Sequence, residues 1–143
     1  MSGRLFVDTA GWMACADAAD PQHPRSRQAR DAALAAGRIL VSTDYVIDET
    51  LTLIRRRLGL EAARAWWEQI EGTSRLRWEW IDPERCERAR ATFFRFRDKG
   101  YSFTDCTSFV VMQELKLAEA LTTDKHFRQM GFKMLPIAAR RRR

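Results

Sequence analysis

Five short runs of aliphatic and β-branched residues recur along the chain, and each but the last is followed by a stretch with helical periodicity. The runs are RLFVD (4–8), RILVS (38–42), LRWEWID (76–82), AEALTTD (118–124) and a last one around FKMLPI (132–137). Strands separated by helices cannot pair as hairpins, so they pair in parallel through crossovers. The alternation therefore predicts an α/β fold: a parallel sheet of about five strands with helices on both faces. Helices are expected over Arg25–Gly37, Asp44–Leu58 and Leu60–Glu71, from Pro83 to about Asp98, from Thr104 as N-cap, and briefly over KHFRQMG. Proline at a first helical position and glycine just past the end support these limits. No repeats, low-complexity segments or linkers interrupt the pattern, so residues 1–143 are expected to form one domain.

Composition narrows the class of partner. A hydrophobic fraction of 45% with 31% charged residues is that of a soluble globular protein. No uncharged apolar run approaches the roughly 20 residues needed to span a membrane. The opening MSGRLFVD reaches a strand at once, which predicts no secretory signal and a cytoplasmic location. Cys15, Cys86 and Cys106 are odd in number and show neither zinc spacing nor a CxxC pair, so reduced thiols are expected. The formal net charge is +6, but Arg140, Arg141, Arg142 and Arg143 contribute four of those positives. This basic tail, 140–143, is either a phosphate contact or a solvated terminus, and the solvated reading is preferred.

The acidic residues carry the chemistry. Asp8 and Asp124 each close a predicted strand, and Glu49 and Asp105 each lie in the first turns of a helix. In an open α/β sheet, ligands bind beyond the carboxyl ends of the strands, and all four acids reach that edge. Four carboxylates without bases repel one another and hold protons. Divalent cations neutralise such a cluster, and all-oxygen donors suit Mg²⁺ or Mn²⁺ better than zinc. One or two such ions support phosphoester hydrolysis without a histidine base. The chain has only His23 and His126, no evident Ser-His-Asp set and no glycine-rich phosphate loop.

Taken in order and spacing, FVDT, DETLTL, SFTDCTSF and ALTTDKHF resemble the motifs of PIN-domain nucleases, and most nearly those of VapC-type toxins. The likeness covers essentially the whole chain. By position, the family's acids fall on Asp8, Glu49, Asp105 and Asp124, as metal ligands and catalytic residues. A hydroxyl residue two before the last acid falls on Thr122, and Thr9 also matches. Ala10 stands where the family often has serine or asparagine, which removes one water-positioning contact. The resemblance implies an Mg²⁺- or Mn²⁺-dependent endoribonuclease acting on RNA. It also implies a homodimer held inactive by a small antitoxin protein.

A receiver domain would carry an acidic pair after the first strand and a lone lysine after the last, and a dehalogenase-type phosphatase would have an aspartate at position 10; neither pattern is present. A non-catalytic PIN-like module that binds RNA or protein is the remaining alternative, and the four acids argue against it. Trp66, Trp67, Trp78 and Trp80 are expected to pack in the core or a dimer contact more than to stack on RNA bases. Lys125 and His126 lie where they could touch phosphate, Phe127 is expected to pack under its helix, and Cys106 is read as core.

Overall fold

The computed structural model of the chain describes residues 3–137, so the arginine tail lies outside the described residues. The elements run β1 (Arg4–Val7), α1 (Thr9–Ala16), α2 (His23–Ala35), β2 (Ile39–Thr43), α3 (Asp44–Leu58) and α4 (Leu60–Gly72). They continue with β3 (Leu76–Glu79), α5 (Pro83–Arg95), α6 (Phe103–Glu114), β4 (Glu119–Leu121), α7 (His126–Gln129) and β5 (Lys133–Leu135). The strands form one sheet in the order β3-β2-β1-β4-β5, and every pairing is parallel. This is the α/β architecture expected from the alternation.

β1 is the centre of the sheet. Leu5, Phe6 and Val7 are all fully buried. Successive side chains of a strand point to opposite faces, so both faces of β1 are covered, as a parallel sheet requires. The strand order also reverses here. The chain builds β2 and β3 on one side of β1, then returns to lay β4 and β5 on the other. A crevice opens at the carboxyl edge between two such strands, and the residues that follow β1 and β4 enter it.

Several boundaries differ from expectation, each for a local reason. β4 ends at Leu121, not at Asp124. The Thr122 hydroxyl accepts the amide of Asp124 at 2.9 Å, and the Asp124 carboxylate accepts the amide of His126 at 2.9 Å. These two side-chain turns compete with the strand ladder and win. Helix α6 is capped by Ser102, not Thr104. Ser102 Oγ accepts from the Asp105 amide and Asp105 Oδ2 accepts from the Ser102 amide, both at 3.0 Å. The S-x-x-D spacing of a capping box was present in the sequence. Helix α5 stops at Arg95 because Phe96 leaves the helix to pack edge-on against Tyr101, with ring centroids 5.6 Å apart.

Core assignments follow burial. Trp66 is buried against Trp12, edge to face at 5.6 Å. Trp67 and Trp78 pack partly buried against the core, whereas Trp80 lies outside it at 63% exposure, which leaves the dimer-contact half of the expectation open. Phe127 is fully buried beside Phe109. Cys106 is buried, and burial pushes its thiol up to about 11, which suits a core thiol and not a nucleophile.

Gly11 governs how closely α1 meets the sheet. A Cβ at this position would lie 2.0 Å from the Leu121 carbonyl oxygen, at the end of β4, and 3.2 Å from Val7 Cγ1. Glycine inside a helix is unfavourable by roughly 0.5–1 kcal/mol relative to alanine, so close approach is what the residue supplies. Gly11→Ala should destabilise the fold by about 3 kcal/mol, the upper end of ordinary overpacking. Gly72→Ala, where a Cβ meets nothing within 4 Å, serves as the control and should be neutral or stabilising. Urea unfolding of both variants is the measurement; equal midpoints would show that the helix shifts freely.

Candidate active site

Asp8 leaves β1 and turns the chain into α1. Its backbone is extended, and its carboxylate Oδ1 accepts the Gly11 amide at 2.8 Å, so the same side chain N-caps α1. Its other oxygen, Oδ2, accepts the Thr122 hydroxyl at 2.8 Å. Only 4% of the residue is exposed. Burial, partly offset by these two hydrogen bonds, pushes the Asp8 carboxyl up to about 8, and the charges of Asp124 and Asp105 push the same way. Nearby, Trp12 Nε1 donates to Ser42 Oγ at 3.2 Å and Ser42 Oγ donates to the Val7 carbonyl at 2.8 Å, which secures the end of β1.

Asp105, in the first turn of α6, and Asp124, after β4, meet around one imidazole. His126 Nδ1 lies 3.2 Å from Asp105 Oδ2 and 3.3 Å from Asp124 Oδ1. One ligand atom from each of these three residues falls within 4.8 Å of the other two. Burial raises the Asp105 carboxyl above its ordinary range, with Asp124 adding to the rise and the Ser102 amide and His126 opposing it. The imidazole stands edge-on to the Tyr101 ring, with centroids 5.2 Å apart. Asp8, Asp105 and Asp124 are thus close enough for their charges to act on one another, although they come from three separate elements.

Glu49 is placed differently. It sits in the second turn of α3, half-buried, and lines a shallow groove with Asp44, Tyr45, Asp48, Arg56 and Thr104. Thr104 precedes Asp105, so Glu49 borders the cluster without entering the tight group. Thr122, two residues before Asp124, would share a face with it on a continued strand. It reaches the site instead through its hydrogen bond to Asp8 and its turn to Asp124, because the strand has already ended. Thr9 is buried beside Asp8, and its hydroxyl has no hydrogen-bond partner among the described residues. Two contributors were missed in the sequence. The Asp-x-His spacing of Asp124 and His126 was readable, but only as a phosphate contact. Gly11 carried no signal until its neighbour across the chain was known.

A family model described as "PIN domain" matches residues 5–133. The 23S rRNA-specific endonuclease VapC20 of Mycobacterium tuberculosis is 32% identical over 130 residues, covering 90% of this chain and 95% of the relative. Ribonuclease VapC26 of the same organism is 26% identical over 126 residues, covering 86% and 89%. The crystal structure of VapC20, described as a Sarcin-Ricin loop cleaving toxin, superposes with a TM-score of 0.80 over 90% of this chain and 95% of that one. The VapBC2 structure from Rickettsia felis, bound to a promoter DNA fragment, shares the fold at a TM-score of 0.66 and 12% identity. The chain belongs to the PIN-domain family. Within that family its relatives are VapC-type endonucleases, as the ordered motifs implied.

A divalent cation fits this PIN-domain site on its own chemistry. The donors are mainly carboxylate oxygens, the ligand type of Mg²⁺ and Mn²⁺. Burial first, and then the charge of Asp124, raises the proton affinity of Asp8 and Asp105, and negative charge held this close is favoured by a nearby cation. The pH dependence of stability follows. In metal-free protein the folded Asp8 holds its proton up to about 8, against 3.8 for the ordinary group. The folded state then binds more protons than the unfolded chain across that window. Its contribution to stability is full below about 4 and is lost as pH rises through about 8, at no more than about 1.4 kcal/mol per pH unit. Urea unfolding of chelator-treated protein between pH 5 and 9 should show this fall, and Asp8→Asn should flatten it. A stability that is level across the range in the wild type would contradict the assignment.

Proposed function

We propose that this chain is a metal-dependent endoribonuclease that hydrolyses RNA phosphodiester bonds and acts as the toxin of a type II toxin–antitoxin pair. The observation that carries the reading is the convergence of Asp8, Asp105 and Asp124 at the carboxyl edge of a PIN-domain sheet. The family relationship to VapC endonucleases supports RNA as substrate.

The roles divide by geometry. Asp8, Asp105 and Asp124 hold Mg²⁺ or Mn²⁺, and Glu49 extends the acidic edge along α3. Thr122 fixes the orientation of Asp8, and its hydrogen bond favours the ionised carboxylate. Bound there, a divalent ion supplies neutralisation of phosphate charge and a more acidic water. The chain itself supplies position. Three carboxylates fixed by helix caps and turns need no rearrangement when the substrate arrives, which is the condition for electrostatic stabilisation of a charged transition state. Lys125, exposed beside Asp124, stands where phosphate would approach.

A small antitoxin protein is the proposed partner, and a homodimer the proposed assembly. The antitoxin follows from the VapC relationship. For the dimer, α5 presents Phe94 at 70% exposure and Phe93 at 38%, apolar surface of the kind a second copy covers. Among the described residues no helix is long and apolar enough to cross a membrane, and a cytoplasmic location is proposed with the toxin role.

Asp8→Asn, Asp105→Asn and Asp124→Asn should each abolish Mn²⁺- or Mg²⁺-dependent cleavage of RNA, with the fold retained by circular dichroism. Ribosomal RNA is the first substrate to offer, given the name of the VapC20 relative. Glu49→Gln and Thr122→Ala should reduce the rate less. A double aspartate variant should lose little beyond either single one, because residues that act as one unit are not additive. Full cleavage by any one aspartate variant removes that residue from the machinery. Absence of cleavage in the wild type with either metal favours the non-catalytic module.

A further inference from the structure

Resting on the metal site just proposed, we infer that His126 is a ligand of the ion through Nδ1, so that the site is a mixed oxygen–nitrogen one. Asp8, Asp105 and Asp124 account for the oxygen donors. The imidazole is hydrogen-bonded to Asp105 Oδ2 at 3.2 Å without an ion, and as the neutral ring its Nδ1 has a lone pair to offer a cation in place of that bond.

Three observations point to ligation. The first is direction. Nδ1 is the ring atom turned into the cluster, and it faces one carboxylate oxygen from each of two elements. The second is spacing. In a six-coordinate site with bonds of about 2.1 Å, adjacent ligand atoms lie roughly 3.0 Å apart. The distances of 3.2 Å to Asp105 Oδ2 and 3.3 Å to Asp124 Oδ1 match such a cis edge to within a small adjustment. The third is rigidity. His126 opens α7, its amide is held by Asp124 Oδ1 at 2.9 Å, and its ring rests edge-on against buried Tyr101. A side chain held at both ends in this way arrives with its nitrogen already aimed.

The chemical consequence is selectivity. Magnesium prefers oxygen ligands, whereas an imidazole nitrogen favours the later first-row ions. A site with one imidazole among carboxylates should therefore favour Mn²⁺ and Co²⁺ over Mg²⁺ more strongly than an all-carboxylate site.

Mn²⁺ is the probe, bound to the full chain and read by pulsed electron paramagnetic resonance. The spin-echo modulation should show a directly coordinated ¹⁴N, and labelling with ¹⁵N-histidine should replace its pattern. The signal should persist in His23→Asn, whose parent ring bonds the Ala14 carbonyl at 2.8 Å well outside the cluster, and vanish in His126→Asn. By calorimetry, His126→Asn should weaken Mn²⁺ binding at least about tenfold, no less than the loss of a group that merely orients a ligand. Mg²⁺ binding should weaken less, so the Mn²⁺/Mg²⁺ affinity ratio falls. Mn²⁺ bound without nitrogen coupling in the wild type overturns this inference and leaves the carboxylate site standing. No binding of millimolar Mn²⁺ overturns both. Should His126→Asn fail to fold, the labelled wild type and His23→Asn still decide the question.

Discussion

A single buried carboxylate, Asp8, joins three parts of the molecule. It ends the central strand, caps the first helix through the Gly11 amide, and receives the Thr122 hydroxyl from the far side of the sheet's reversal point. Each contact needs the others. The cap requires α1 to start at once after β1. The reach to Thr122 requires β4 to lie directly against β1, which its pairing of Val7 with Leu121 provides. The close approach of α1 to Leu121 requires that Gly11 have no side chain. Burying a carboxyl away from water is costly, and hydrogen bonds recover part of that cost. The remaining cost appears as a raised proton affinity of Asp8 at the carboxyl edge of the sheet.

The candidate site is assembled from groups that already hold the backbone. Asp8 caps α1, Asp105 completes the capping box of α6 by accepting the Ser102 amide, and Asp124 and Thr122 close consecutive turns. Structural and chemical roles therefore share the same atoms. Each carboxylate keeps free capacity, because an ionised carboxylate has about four lone-pair sites and uses one or two here. The turns and caps fix where those sites point, which is the preorganisation that a charged transition state rewards.

Beneath the cluster lies a run of aromatic rings. His126 stands on Tyr101, Tyr101 meets Phe109 at 5.2 Å, and Phe109 meets Phe127 at 5.0 Å. Phe127 follows His126 directly, so the residue that faces the acids and the one that anchors α7 are neighbours in sequence. Phe6, one residue before Val7 on β1, also contacts Phe127. The site is mounted on the core itself, and motion of any one acid relative to the others would have to disturb that packing.

The α/β class, the parallel sheet and the order of elements were legible in the sequence, because strand and helix periods differ and their alternation leaves few arrangements. The sequence also marked Asp8 and Asp124 at the ends of apolar runs, whereas Asp105, at a helix start where aspartate is common for structural reasons, stood out only as one of an ordered set. It determined less about Glu49, one acid among three on the first turns of α3, and the tertiary structure sets it at the border of the cluster. What only the folded chain decided were contacts between distant residues. The hydrogen bond from Thr122 to Asp8 spans 114 residues, and no local pattern encodes it. The same holds for Gly11 against Leu121. His126 is a different case, for its spacing from Asp124 was visible, yet its approach to Asp105 depended on α6 being laid beside it. Local propensities act within a few residues, whereas burial, proton affinity and ligand geometry belong to groups that packing alone brings together.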